Sequence, residues 1–288
     1  MKKMTLVNLE SLLSKAKEEK YAVGAFNATD LNTARGIIAA AQQENSPVIL
    51  QFAESHSKYI SLEQAANMYL NLAEHTKVPV CIHLDHGESF NTIVRAIKLG
   101  FTSVMVDASL NPFSENIQRT KEVVKIAKAL DISVEAELGI MNAEDGSGSL
   151  DYNMMDDTYT SVQEAEKFVS ETKVDALAIA FGTVHGLYKK EPNLNFNRIK
   201  EIQDCTEVPL VMHGGSGLSS EEYQNSIANG ITKINYYSTM SYEVTNGLRD
   251  YLNNNDNAFL FDVDTKTIEL VKNNIAKKME IFGSSGKA

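Results

Sequence analysis

The chain has 288 residues and a formal net charge of −11, with 43% hydrophobic and 23% charged residues. That balance belongs to a folded globular protein, and the acidic excess disfavours nucleic acid and anionic membranes as partners. Two cysteines, Cys81 and Cys205, are too few for a disulfide scaffold, and both sit beside apolar runs. The opening MKKMTLVNLESLL has no cleavage-site pattern, and no segment reaches the about 18 uninterrupted apolar residues of a membrane span. A cytoplasmic protein is expected.

Short β-like runs alternate with amphipathic stretches. Val7–Glu19 reads as a helix and Tyr21–Asn27 as the first strand; Leu31–Glu44 is helical and Pro47–Phe52 is the second strand. Leu62–His75 is helical before a third strand at Val78–Leu84, and Ser89 is placed to cap a helix running to Leu99. Ser103–Asp107 is the fourth strand, Asn111–Leu130 a long helix and Ser133–Glu137 the fifth strand. The pattern lapses over Leu138–Thr160, where Gly146, Ser147, Gly148 and Ser149 loosen the chain. An insertion of that length is expected to be a mobile active-site loop. A helix at Ser161–Thr172 and a sixth strand at Ala176–Phe181 follow, then a helix at Asn195–Asp204 and a seventh strand at Val208–His213. Ser219–Asn229 is helical, Thr232–Tyr236 is the eighth strand, and helices at Thr239–Asn253 and Lys266–Ile281 close the chain.

Eight strands, each followed by a helix, is the order of an α/β TIM barrel, here with extra helices at both ends. The first strand ends in Ala25-Phe26-Asn27 without the GxGxxG turn of a dinucleotide fold. No linker-like change divides the chain, so residues 1–288 are expected to form a single (β/α)8 domain, with 138–160 as its mobile loop.

Barrel active sites lie at the carboxyl ends of the strands. Four of the six histidines, His83, His86, His185 and His213, fall on or just past strand ends three, six and seven. His86, His185 and His213 come from three different strand ends, and three imidazoles with one open position make a catalytic zinc-type site. His83 shares a strand face with Asp85 and reads as a barrel-wall residue or a partner of a ligand. His56 and His75 read as surface or loop residues. The turns His213-Gly214-Gly215-Ser216-Gly217 and Asn235-Tyr236-Tyr237-Ser238-Thr239 follow strands seven and eight, the usual phosphate site of a barrel. Gly182 and Gly186 flank His185 and offer further backbone donors. Asp85 adjoins a candidate ligand and is suited to exchange a proton with a substrate hydroxyl. Asp107, Glu135 and Glu137 have three roles open to them: holding a second cation, tuning the histidines, or filling the barrel mouth. Glu144 and Asp145 are either solvated loop charges or mobile acids that close over substrate.

The motifs HLDH at 83–86, VDASLNPFSENI at 106–117, EAELG at 135–139, FGTVHGLY at 181–188, HGGSG at 213–217 and KIN at 233–235 resemble those of class II metal-dependent fructose-bisphosphate and tagatose-bisphosphate aldolases. The likeness runs from Asn27 to the closing Phe282-Gly283-Ser284-Ser285-Gly286-Lys287. It implies that His86, His185 and His213 bind a catalytic Zn2+ and that Asp85 exchanges the proton of the ketose C4 hydroxyl. It implies that Gly186, Gly214, Gly215, Ser216, Asn235 and Ser238 hold the dihydroxyacetone phosphate portion of the substrate, with Asn27 facing the pocket. A monovalent cation (Na+ or K+) near the phosphate, a second divalent metal on Asp107 and Glu137, and a homodimer or homotetramer are further expectations. The loop departs from the family pattern, reading Glu137-Leu-Gly-Ile-Met-Asn-Ala-Glu144-Asp145 without the paired glycines. Glu144 is the preferred loop acid and Asp145 the next. Tyr237, Ser241 and the stretch Phe52-Ala53-Glu54-Ser55-His56 also depart from it, all on the aldehyde side of the pocket.

The implied reaction is zinc-dependent, reversible aldol cleavage of a phosphorylated ketose to dihydroxyacetone phosphate and an aldehyde. Competing readings are an aldolase releasing a non-phosphorylated aldehyde, a non-catalytic sugar-phosphate sensor, and a metal-dependent isomerase or hydrolase. Retention of Asp85 favours an aldolase over the sensor, because a binding module needs no proton acceptor beside its metal.

Overall fold

A computed structural model describes residues 5–139, 159–186, 188 and 191–288. Eight parallel strands close into a barrel in sequence order: β1 (Val23–Asn27), β2 (Val48–Ala53), β3 (Val80–Asp85), β4 (Ser103–Val106), β5 (Ser133–Leu138), β6 (Ala176–Ile179), β7 (Leu210–Met212) and β8 (Ile231–Asn235). Among the described residues ten helices accompany them. α1 (Leu9–Glu19) precedes the first strand; α2 (Leu31–Glu44), α3 (Leu62–Glu74), α4 (Phe90–Lys98) and α5 (Phe113–Lys128) follow the first four. α6 (Val162–Thr172), α7 (Phe196–Cys205), α8 (Ser220–Asn229), α9 (Ser238–Asn253) and α10 (Leu260–Ile281) complete the set. Helix starts are set by side-chain oxygens that satisfy otherwise orphaned N–H groups. Asn8, Asp30, Ser89 and Ser161 cap in this way, and Ser61 with Gln64 and Ser219 with Glu222 form reciprocal capping boxes.

Strand alternation divides the apolar residues into two sets. Phe26, Leu50, Ile82, Leu84, Val104 and Val134 belong to the outer core between strands and helices. Val23, Ala25, Ile49, Cys81, Ala176, Ala178 and Val211 form a second core inside the barrel, with Leu9, Leu12, Leu13 and Ala16 of α1 packed into it. The first helix is thus the plug that seals the amino end of the barrel. Above this apolar floor the same inward positions carry Asn27, Gln51, His83, Asp85, Glu135, Glu137, Lys233 and Asn235, the strand ends that build the site.

The last helix begins at Leu260, six residues before the expected Lys266. Leu260 and Phe261 are exposed, so the first turn carries no apolar stripe toward the core, while Asp262 accepts the Phe259 N–H and starts the helix. A 3-10 turn at Glu54–Lys58, absent from the sequence-based reading, sits directly after β2. Of the 138–160 insertion, the ends are joined: the Thr160 hydroxyl donates to the Leu138 carbonyl at 2.5 Å. Glu144 and Asp145 lie outside the described residues.

The terminal helix packs along α2, and Gly36 permits the approach. A Cβ at Gly36 would stand 2.7 Å from Val271 Cβ and 3.0 Å from the Ile268 carbonyl. Gly36→Ala gains about 1 kcal/mol of helix propensity but overpacks this contact by about 1–3 kcal/mol. Neither neighbour is the far end of a flexible chain, so the clash prevails: the variant should unfold at lower urea concentration than the parent, with an unchanged slope.

Candidate active site

The carboxyl ends of the strands surround a cavity of about 440 Å³. Its lining includes Asn27, Asp85, His86, Asp107, Glu137, His185, Gly186, Gly214, Gly215, Ser216, Asn235 and Ser238, so most of the expected site residues among the described positions face one space, while His213, Glu135 and Gly182 do not line it. His213 stands immediately behind, fully buried, with its ring against His86.

Hydrogen bonds at the far side of two rings fix the imidazoles of His86 and His213. His86 Nδ1 lies 2.6 Å from Asp107 Oδ2, whose other oxygen accepts the Ser109 hydroxyl at 2.8 Å. His213 Nε2 lies 2.8 Å from Glu135 Oε1. A carboxylate is an acceptor only, so each of these ring nitrogens carries a proton, and the other nitrogen of each ring is the one available to a cation. Those two nitrogens, His86 Nε2 and His213 Nδ1, face each other 3.0 Å apart and must share a proton or a cation. His185 completes the group, its ring centroid 5.0 Å from that of His86 and 5.9 Å from that of His213. Its Nε2 is buried with no hydrogen-bond partner, and so is Glu137 Oε2, 3.6 Å from His213 Nδ1.

Facing lone pairs and an unpartnered buried nitrogen are costly unless a positive charge lies among them. The donor set fits a divalent cation: ligand atoms of His86, His185 and His213 all lie within 4.8 Å of one another, and those of His86, Asp107 and Glu137 form a second such group. The electrostatics agree. Burial opposes charging His86, yet Asp85, the Asp107 hydrogen bond and Glu137 together raise its pKa to about 10. A surround that stabilises an imidazolium stabilises a bound cation for the same reason. His185 is held neutral, its pKa lowered to about 3 by burial and by His86 and His213. Burial and the neighbouring Asp107 push Glu137 up to about 8.

Asp85 is the carboxylate beside this cluster, its Oδ1 4.0 Å from His86 Nε2. Asn27 donates to Oδ2 at 3.0 Å and Asn235 to Oδ1 at 2.9 Å, while Gln51 donates to Asn27 Oδ1 at 2.9 Å and fixes that amide. Burial opposes ionisation of Asp85, but His86, His213, Lys233 and the Asn27 amide outweigh it and hold the carboxyl well below the usual range. It is an ionised base at neutral pH.

Gly214 turns the chain after β7 with φ +65°, and a Cβ there would stand 2.5 Å from the Val184 carbonyl. Tyr188 ties the two loops together: its hydroxyl donates to the Gly214 carbonyl at 2.8 Å and accepts the Val184 N–H at 3.1 Å. Ser216 Oγ accepts the Tyr237 N–H at 3.1 Å, which sets this glycine turn against the first turn of α9. Backbone donors and a helix N-terminus therefore meet on one wall, an arrangement suited to an anion.

One expectation changes. His56 lines the cavity, with its ring 5.1 Å from that of Tyr237, because the unexpected 3-10 turn folds it back over the mouth. His83 lies on the barrel wall as expected, with Nε2 3.6 Å from Glu135 and Nδ1 2.9 Å from Ser103 Oγ. Tyr188 and Lys233 stand in the motifs FGTVHGLY and KIN without a role assigned from sequence, although strand alternation puts Lys233 on the same face as Asn235.

Fold and site together define a barrel with a cavity at its carboxyl end, where a carboxylate stands beside a donor set that fits a cation. The family model for class II fructose-bisphosphate aldolase matches residues 7–287. The fructose-bisphosphate aldolase of Geobacillus stearothermophilus is 41% identical across 99% of both chains, and that of Staphylococcus aureus (strain Mu50) is 38% identical across 99% of this chain and 100% of its own. Among solved structures, the YdjI aldolase from Escherichia coli K12 superposes with a TM-score of 0.86 at 35% identity, covering 98% of this chain and 99% of that one. A fructose-1,6-bisphosphate aldolase homologue from Coccidioides immitis gives 0.86 at 27% identity, covering 100% and 99%. The chain belongs to the class II fructose-bisphosphate aldolase family. It is an aldolase, a carbon–carbon lyase of carbohydrate metabolism in a family that depends on a metal ion. Among the described residues no helix is long and apolar enough to cross a membrane.

If the three imidazoles are the cation ligands, His185→Ala removes a nitrogen whose Nε2 has no hydrogen bond to the protein. The variant should keep the parent's circular dichroism and lose Co2+ affinity by more than about 100-fold in a chelator competition, above the loss typical of an outer partner.

Proposed function

We propose that this aldolase cleaves fructose 1,6-bisphosphate reversibly to dihydroxyacetone phosphate and a phosphorylated aldehyde, with Zn2+ on His86, His185 and His213. The names carried by the relatives support the substrate. One observation carries the chemistry: an ionised, doubly hydrogen-bonded Asp85 beside a cation-demanding imidazole cluster. Bound there, Zn2+ supplies a Lewis acid for the ketose oxygens.

Asp85 accepts the proton of the C4 hydroxyl. The C3–C4 bond then breaks, the former C4 becomes the aldehyde carbon, and the bonding pair passes to C3. A carboxylic acid of the 138–160 loop returns a proton to C3; Glu144 is preferred and Asp145 the next. Asn27 and Asn235 hold both oxygens of Asp85, so its orientation is fixed before substrate arrives. Gly186, Gly214, Gly215, Ser216 and Ser238 offer backbone and hydroxyl donors to the phosphate of the dihydroxyacetone portion, next to the α9 N-terminus. This reading includes a second divalent ion drawing on Asp107 and Glu137, a monovalent cation (Na+ or K+) beside the phosphate, and a cytoplasmic homodimer or homotetramer.

The test is release of dihydroxyacetone phosphate from fructose 1,6-bisphosphate, tagatose 1,6-bisphosphate and fructose 1-phosphate, with and without chelator. Chelator-sensitive release, fastest from fructose 1,6-bisphosphate, is expected. Asp85→Ala should lower kcat by about 10²–10⁴-fold with Zn2+ content unchanged; loss of the metal instead would mean that Asp85 is a ligand.

A further inference from the structure

Beneath the imidazole cluster, inside the barrel, lies a group of ionisable side chains that takes no direct part in the proposed reaction. Glu135 of β5, Lys233 of β8 and His83 of β3 are all fully buried, and none is among the residues lining the cavity. The Glu135 carboxylate is divided between two neighbours. Oε1 lies 2.8 Å from His213 Nε2, and Oε2 lies 2.8 Å from Lys233 Nζ. His83 closes the third side, its Nε2 3.6 Å from Oε2.

We propose that Lys233 is a positioning residue: acting through Glu135, it fixes the tautomer and ring orientation of His213 and so presents Nδ1 to the cation site.

Stability alone does not account for this ion pair. Barrel interiors are normally filled with branched apolar side chains, and replacing a buried ion pair by apolar residues of similar size is often neutral or stabilising. The floor just below is apolar, with Val23, Ala25, Cys81, Ala176 and Val211. A long cation among them therefore points to a requirement other than packing. His83 does not balance Glu135, because burial and Lys233 keep that imidazole neutral. Lys233 is thus the counter-charge in contact with the carboxylate. An ionised carboxylate offers acceptors only, so the proton of His213 stays on Nε2 and the lone pair stays on Nδ1. Reversing that tautomer would aim an N–H at the cation and remove one of three ligands. Holding Oε2 also stops the carboxylate from swinging away from His213.

The inference rests on the assignment of His86, His185 and His213 as the cation site. Co2+ binding, read by titration and by visible absorption, tests it in the parent, Lys233→Met, Glu135→Gln and the double variant. Lys233→Met should weaken Co2+ binding by about 10–100-fold and alter the absorption bands, while circular dichroism stays that of the parent. The double variant should match Glu135→Gln alone, because Lys233 acts through Glu135. Parent-like affinity and spectrum in Lys233→Met, or multiplying losses in the double variant, would overturn the proposal. The unmutated protein gives a second test that needs no variant to fold. Nitrogen-15 shifts of the Zn2+-loaded chain should show His213 protonated at Nε2, and protonation at Nδ1 would overturn the proposal. A parent chain that takes up no Co2+ overturns the histidine site itself, and this inference with it.

Discussion

Two imidazole nitrogens face each other 3.0 Å apart, where only a proton or a cation can sit between them, and the rest of the site is arranged to keep them there. Each is pinned from behind by a carboxylate, Asp107 for His86 and Glu135 for His213, so neither ring can turn its lone pair aside. Such a contact calls for a positive charge, a proton in the bare protein or a metal ion in its place. Gathering these donors at the barrel mouth has a cost, and the apolar floor and outer core support it. His86 adds to this cost: it holds φ +46°, a backbone conformation worth about 1–3 kcal/mol of strain for a non-glycine residue.

The barrel supplies what a loop-built site would lack. β3, β5, β7 and β8 deliver Asp85, Glu135, the His213 turn and Asn235 as rigid projections from hydrogen-bonded strands. The elements that must approach substrate most closely lie instead in the connections: His185 after β6, the glycine turn after β7 and the first turn of α9. Tyr188 and Ser216 tie these connections to one another. Rigid strands therefore place Asp85 and Glu135, and tied loops place the glycine turn and the α9 N-terminus that the proposed phosphate site draws on. His56 and Tyr237 cover the opposite side of the mouth, where the chain departs from its family pattern.

Much of this was legible in the sequence, for identifiable reasons. Period-two and helical patterning revealed all eight strands because parallel barrel strands are buried on both faces and read as short apolar runs between amphipathic helices. The rule that chemistry collects at strand ends then selected His86, His185 and His213 from six histidines. Long-range geometry escaped it. His56 looked like a surface residue because nothing local signals the 3-10 turn that folds it inward. Lys233 belongs to the KIN motif, but nothing local gives it a role, since its partner Glu135 is about a hundred residues away in the chain. Leu260 and Phe261 disguised the start of α10 because they face solvent instead of the core.

The central claim is that three imidazoles, two of them preset by carboxylates, hold the catalytic zinc. Zinc-edge X-ray absorption on the purified enzyme addresses it directly. The account predicts a catalytic zinc bound by three imidazole nitrogens, with His213→Ala losing one of them. A zinc with sulfur neighbours, or one whose ligands are unchanged in His213→Ala, would contradict it.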